Sequence, residues 1–216
     1  MKKVILHLCA DLGSDSRPYA IDSNYRVILI GKAYGVENLT KHTLQRDFGV
    51  TAVHGIMANP VCTDLSRARR GGKAKDAQNG LILVKECQRI IEELQPQWWV
   101  IENPANGVLR DYLGKPSLVY QPYEYGSGWT KKTALWGNFR LPEKTHDWET
   151  CPKIDGLYIR KKRDDKPSLA FQHKRHIRFI DEFKPFIDFV KNDADLRSLC
   201  SQNLQTLLKM LILKRC

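Results

Sequence analysis

"WVIENPANGVLRDYLGKPS", residues 99–117, decides how the chain is read. Trp99, Val100 and Ile101 are bulky strand formers. Glu102 follows at once, and Asn103-Pro104 ends the run, because proline has no amide hydrogen for a ladder. A carboxylate at the lip of a strand is a solvated end, a cap for the next helix, or a site residue. Working outward, the other strand-like runs end in the same way. "KVILHL" (3–8) enters the polar turn "CADLGSDS", "RVILI" (26–30) ends at Gly31, and "AVHGIMA" (52–58) ends at Asn59-Pro60.

Between these runs, Leu81, Val84, Ile91 and Leu94 recur at helical spacing. They predict a helix over about 77–94, with Asp76 as its N-cap and Pro96 as its stop. "ANGVLRDYL" (105–113) reads as a short helix closed by Gly114, and "SLVYQPYEY" and "KTALWGNF" read as two more strands. Strands alternating with helices predict an α/β fold, a mostly parallel sheet with helices on both faces. In such sheets ligands bind beyond the carboxyl ends of the strands. The turns at 9–16, 59–66 and 102–104 are therefore expected to line one edge, which is the reason to treat Glu102 as a site residue. After about residue 140 the pattern weakens into loops and then helices broken near Pro185 and Asn192. The expected division is a core over 1–140 and a small basic C-terminal extension, 141–216, whose helices pack on it.

The chain has 216 residues, 42% of them apolar, enough for a substantial core and too many for a disordered chain. No apolar run is long enough to span a membrane, and the apolar start after Lys2-Lys3 is too short for a signal peptide. Six scattered cysteines, without a C-x-x-C pair, suggest free thiols in a reducing cytoplasm. Cys87 reads as buried helix packing. His146 and Cys151 are two ligands short of a metal site, so no metal is expected. The formal net charge is +11, with basic runs at 66–75, 160–166 and 173–178. Such a balance fits nucleic acid as partner, or a solvated basic surface.

The stretch "ANPVCTDLSRA" (58–68) puts Cys62 on a proline-containing turn after a strand. A thiol acts as a nucleophile through its thiolate, which positive neighbours favour, and Arg67, Arg69 and Arg70 lie close in sequence. Read alone, Cys62 is either such a nucleophile or an ordinary buried cysteine.

Taken together, "LHLCADLGSDS", "NPVCTDLS", "IENP" and "GSGWTKKTALWGNF" resemble, in order and spacing, the small phage-type DNA (cytosine-5-)-methyltransferase family. The resemblance covers about residues 3 to 140 and extends weakly into "DADLRSLCSQNLQ". It implies a Rossmann-like methyltransferase fold that uses S-adenosyl-L-methionine. It implies Cys62 as the nucleophile that adds to cytosine C6 and Glu102 as the acid that holds and protonates N3 of a flipped base. Lys131 and Thr133 fall where the family has a basic strand near the cysteine. Cys9, Asp11, Gly13, Ser14 and Asp15 match the cofactor turn, with Ser16 beside it, and Asn59 and Pro60 stand between cofactor and base. Arg67, Arg69, Arg70, Lys73 and Lys132 are expected to contact DNA, duplex or single-stranded. A phage-encoded enzyme would work in the cytoplasm of a bacterial host.

The chain departs from the family at Val61, where proline is usual, and at Asp11, where glycine is usual. It also lacks an acid directly after the second strand, where Glu37 is the nearest substitute. Two other readings use the same residues. The "NPVC" loop is similar to that of exocyclic-amine methyltransferases but has Cys62 in place of an aromatic residue. A degenerate relative that only binds nucleic acid would keep the charge and lose the chemistry.

Overall fold

The computed structural model describes residues 1–10, 12–63, 65–67, 77–160, 165–199 and 201–213. Six strands, β1 (Lys3–Leu8), β2 (Tyr25–Ile30), β3 (Gly55–Ala58), β4 (Trp98–Pro104), β5 (Leu118–Tyr120) and β6 (Thr133–Asn138), form one sheet in the order β2-β1-β3-β4-β6-β5. The first four are mutually parallel, and β6 runs antiparallel to both β4 and β5. The helices are α1 (Arg17–Ala20), α2 (Lys41–Phe48), α3 (Ala77–Leu94), α4 (Leu109–Leu113), α5 (Lys174–Ile177), α6 (Asp193–Ser198) and α7 (Gln202–Leu213). The expected α/β architecture is borne out.

Helices cover both faces, which is why the central strands are continuous apolar runs. On one face Leu44 of α2, Val84, Cys87 and Ile90 of α3 and Leu109 of α4 pack on Leu6, Leu8, Ile56, Ala58 and Ile101. On the other, Tyr19 of α1 and Leu204 and Leu208 of α7 pack on Ile5, Met57, Trp98, Val100 and Leu135. The last helix, from the expected extension, thus closes the sheet's second face. A third cluster, drawn mostly from the segment that follows β6, gathers Trp129, Leu157, Leu169, Ile177, Phe183, Phe186 and Leu199, with Leu12 packed against it.

The expected helix over 77–94 is observed with those bounds, and Gln95 turns left-handed (φ 45°) just before Pro96. Its expected N-cap, Asp76, lies outside the described residues. Three expectations shift. The strand expected over 52–58 begins only at Gly55, where the ladder to β1 starts and where a Cβ would lie 2.1 Å from the Trp98 ring. The strand expected over "SLVYQPYEY" stops at Tyr120, because Pro122 opens a 3₁₀ turn, Pro122–Tyr125. Lys131 precedes β6 instead of sharing a face of it with Thr133.

Register positions the site. His7 pairs with Met57, Ala58 with both Leu8 and Ile101, so Cys9, Asn59 and Glu102 follow at one level. Antiparallel β6 starts where the parallel strands end, since Thr133 pairs with Pro104. That delivers Lys131 to the same edge. The chain leaves β1 toward β2 on one side and builds β3 on the other, which opens the crevice where open α/β sheets bind ligands.

Leu204 is fully buried against the sheet. Leu204→Ala is expected to lower unfolding stability by about 2–5 kcal/mol in urea titration; a loss near zero would show that α7 is not part of the core.

Candidate active site

The cofactor turn expected at 9–16 is polar yet buried: Ser14, Asp15 and Ser16 are each at most 6% exposed. Cys9 leaves β1 at φ 56°, and Gly13 takes φ 66° with Leu29 close behind it. The turn is tied to the last helix, because Gln202 Nε2 donates to the Ser14 carbonyl (2.9 Å). Cys9 was expected to meet the cofactor, but its sulfur faces α3, 3.9 Å from Cys87 Sγ. Asp11 lies outside the described residues.

Asn59 is the hub of the edge. Its Nδ2 donates to Asp15 Oδ2 and to Glu102 Oε2 (3.1 Å), and its Oδ1 lies 2.7 Å from His7 Nε2. Lys131 Nζ stands 3.7 Å from Glu102 Oε1 and donates to the carbonyls of Ser198 (3.3 Å) and Leu199 (3.0 Å), where α6 ends. Burial pushes the Glu102 carboxyl above its ordinary range; Lys131 opposes the shift, Asp15 adds to it, and the Asn59 hydrogen bond opposes it. Asp15 Oδ1 and Glu102 Oε1 are both buried without a hydrogen-bond partner among the described residues. Two acceptor positions are thus left over, one on the turn and one near the strand end.

The cysteine loop is pinned at both ends. Asn103 Nδ2 donates to the Pro60 carbonyl (2.8 Å), and Leu65, fully buried, accepts at its carbonyl from Val108 N (2.9 Å). Between the pins, Val61 is 41% exposed and Cys62 is exposed. The Cys62 carbonyl accepts from Leu65 N (3.1 Å) and Ser66 N (2.8 Å), folding the loop back on itself. Partial desolvation of the thiol raises its pKa first, and the Glu102 charge raises it further; Lys131 and Arg197 pull it down. Sulfur 62 and carboxyl 102 thus share one electrostatic environment.

The remaining expected residues divide. Thr133 is fully buried and turns its hydroxyl back onto the Lys131 carbonyl (2.9 Å), so it shapes the lysine's turn and does not face the crevice. Arg67 pairs with Asp111 of α4. Lys132 is exposed beside the strand end, and Glu37 is exposed in the 3₁₀ turn Val36–Asn38. Arg69, Arg70 and Lys73 lie outside the described residues. Among the described residues no group of three or more His, Cys, Asp or Glu is placed to hold a metal. No described helix is long and apolar enough to cross a membrane. A surface cleft bordered by Pro96, Trp99 and Asn138 lies at the opposite end of the sheet.

Sequence reasoning missed His7, Arg197 and Gln202. A histidine inside the buried run "KVILHL" was a usable signal, since a buried polar side chain demands partners. Nothing local marked the other two, which arrive from the far end of the chain.

No family model matches the chain. A probable DNA (cytosine-5)-methyltransferase of frog virus 3 (isolate Goorha) is 30% identical over 149 residues, 62% of this chain. The family resemblance read from the motifs is borne out. The chain spans 65% of the length of that curated relative. A prophage-encoded E. coli chain, described as a candidate DNA modification methyltransferase, superposes with a TM-score of 0.51 at 13% identity, over 75% of this chain and 56% of that one. The fold is therefore a methyltransferase fold.

Two measurements follow from the charges. Alkylation of Cys62 tracks its thiolate fraction. Glu102→Gln is expected to speed it severalfold and Lys131→Met to slow it severalfold near neutral pH; unchanged rates would place the three groups apart. Because the folded-state pKa of Glu102 is raised, its contribution to stability is full below the unfolded value and is lost as pH rises through the folded one. Glu102→Gln is accordingly expected to be more stable than the parent at about pH 8, by about 0.5–2 kcal/mol. Thermal unfolding should show the difference shrinking on acidification, and a constant difference would contradict the shift.

Proposed function

We propose that the protein transfers a methyl group from S-adenosyl-L-methionine to C5 of cytosine in DNA. The observation that carries this reading is the meeting of Cys62, Glu102 and Lys131 at one sheet edge, beside a buried polar turn. Cytosine C5 is a poor nucleophile until a thiolate adds to C6 and turns the ring into an enamine. That addition needs one soft nucleophile and one carboxyl group on the same base. Cys62, exposed on a pinned loop, suits the first role. Glu102 suits the second, since burial eases protonation of its carboxyl, and its Oε1, beside Lys131, has no hydrogen-bond partner among the described residues. Lys131 favours the thiolate by charge. The base would have to leave its stack to reach this edge, and the basic balance of the chain suits a polyanionic partner.

The residues present fit the methyl donor. Asp15 Oδ1, buried by the Gly13 turn and without a hydrogen-bond partner among the described residues, suits the donor's ammonium group, and the turn's backbone suits its amino-acid end. When bound, S-adenosyl-L-methionine supplies an electrophilic methyl group on a sulfonium. Asn59 separates the two sites and contacts both carboxylates. The exocyclic-amine alternative is less well supported, because the Asn59 oxygen that would accept from such an amine is already engaged by His7.

An oligonucleotide carrying 5-fluorocytosine, incubated with S-adenosyl-L-methionine, tests the reading. A covalent adduct through Cys62, absent in Cys62→Ser, is the expected result. Cofactor binding without an adduct would favour amine transfer, and DNA binding without cofactor would favour a degenerate binder.

A further inference from the structure

Asn59 poses a problem of orientation. Its amide has one oxygen and one nitrogen, and three polar groups surround it. Two of them are carboxyl groups, and an ionised carboxylate only accepts. The nitrogen therefore faces Asp15 and Glu102, one hydrogen to each. The oxygen is left facing His7, so His7 Nε2 must carry a proton.

The rest of the ring agrees. His7 Nδ1 lies 2.8 Å from Ser16 Oγ, whose single hydrogen can serve this nitrogen or the Gly13 carbonyl (3.2 Å); a neutral ring protonated at Nε2 accepts it at the shorter contact. Burial lowers the His7 pKa, which favours that neutral ring, although Asp15 and Asn59 oppose the shift. His7 is 2% exposed on a central strand, and both ring nitrogens are engaged across the face that carries Ile5. A purely apolar residue would pack there equally well. What it would not supply is a donor for Asn59.

Without that donor the amide can turn over at little steric cost, since its two ends are nearly the same size. The flipped amide points its oxygen at Asp15 and Glu102. Repulsion would drive Glu102 from its place and make its ionisation harder still. We propose that His7 is a positioning residue for Glu102, acting through Asn59: its Nε2–H fixes the amide face that holds the carboxyl group at the strand end. Strand β1 thereby links the cofactor turn, through Ser16, to the acid on β4.

The catalytic consequence rests on the cytosine reading; the structural one does not. The experiment separates them. Nitrogen-15 NMR of the histidine rings in the whole protein is expected to show His7 protonated at Nε2 and bare at Nδ1. The opposite tautomer overturns the proposal without any variant. Carbon-13 NMR of the Glu102 carboxyl then follows its titration in two variants. His7→Met fills the space without a donor and is expected to move the Glu102 titration to higher pH. His7→Gln sets an amide nitrogen near the Nε2 position and is expected to restore it. The charged groups around Glu102, namely Asp15, Lys131 and Cys62, are the same in all three proteins. A merely structural role would move neither the tautomer nor the titration. Equal Glu102 titrations in the parent and His7→Met overturn the proposal.

In the fluorocytosine assay His7→Met should form adduct more slowly, by up to about 100-fold, as expected when a catalytic group is misplaced. His7→Gln should recover the rate. A parent protein that forms no adduct sinks the cytosine reading, while the two NMR results still decide the role of His7.

Discussion

One amide holds two carboxyl groups together at the edge of this sheet. Asp15 and Glu102 would repel each other in a buried crevice, and each accepts from a different hydrogen of Asn59. That shared donor, on the loop after β3, lets the turn after β1 and the acid on β4 sit close on either side of it. The parallel register sets the arrangement, because Leu8, Ala58 and Ile101 lie level with one another. A shift of one residue in β3 would reverse its faces and carry Asn59 away from both acids.

The second constraint comes from the far end of the chain. Lys131 is held by carbonyls at the end of α6, Arg197 on α6 acts on the Cys62 thiol, and Gln202 on α7 ties down the turn at Ser14. Cations near a helix C-terminus are favoured by the exposed carbonyls there. Arg197, Ser198, Leu199 and Gln202 are thus a structural part of the crevice. The thiol balances opposing charges: Glu102 disfavours the thiolate, and Lys131 and Arg197 favour it. Anything that neutralises Glu102 also eases ionisation of Cys62, so proton placement on the acid and activation of the sulfur act in the same direction.

Much of this was legible in the sequence. The helix over 77–94 was readable because its apolar face repeats at helical spacing and Pro96 stops it. Glu102 was readable because an acid that follows a buried apolar run, next to Asn-Pro, lies near the carboxyl edge of a parallel sheet, although β4 itself continues to Pro104. What failed depended on side-chain direction or on distant partners. Cys9 follows a strand like the site residues, yet its sulfur turns to the α3 side. Thr133 and Lys131 are two apart, but the strand begins at Thr133 and the hydroxyl finds its neighbour's carbonyl. His7 was passed over as one member of an apolar run. The loop-like segment after 140 hid a core of its own, because 3₁₀ turns and short helices leave no long period to detect.

Labelled S-adenosyl-L-methionine incubated with DNA of mixed sequence, followed by digestion to nucleosides, shows which atom receives the methyl group. If sulfur 62 and carboxyl 102 close on one pyrimidine, the label appears in 5-methylcytosine and disappears in Glu102→Gln. Label on an exocyclic amine of cytosine or adenine, or no label in any nucleoside, would contradict the account.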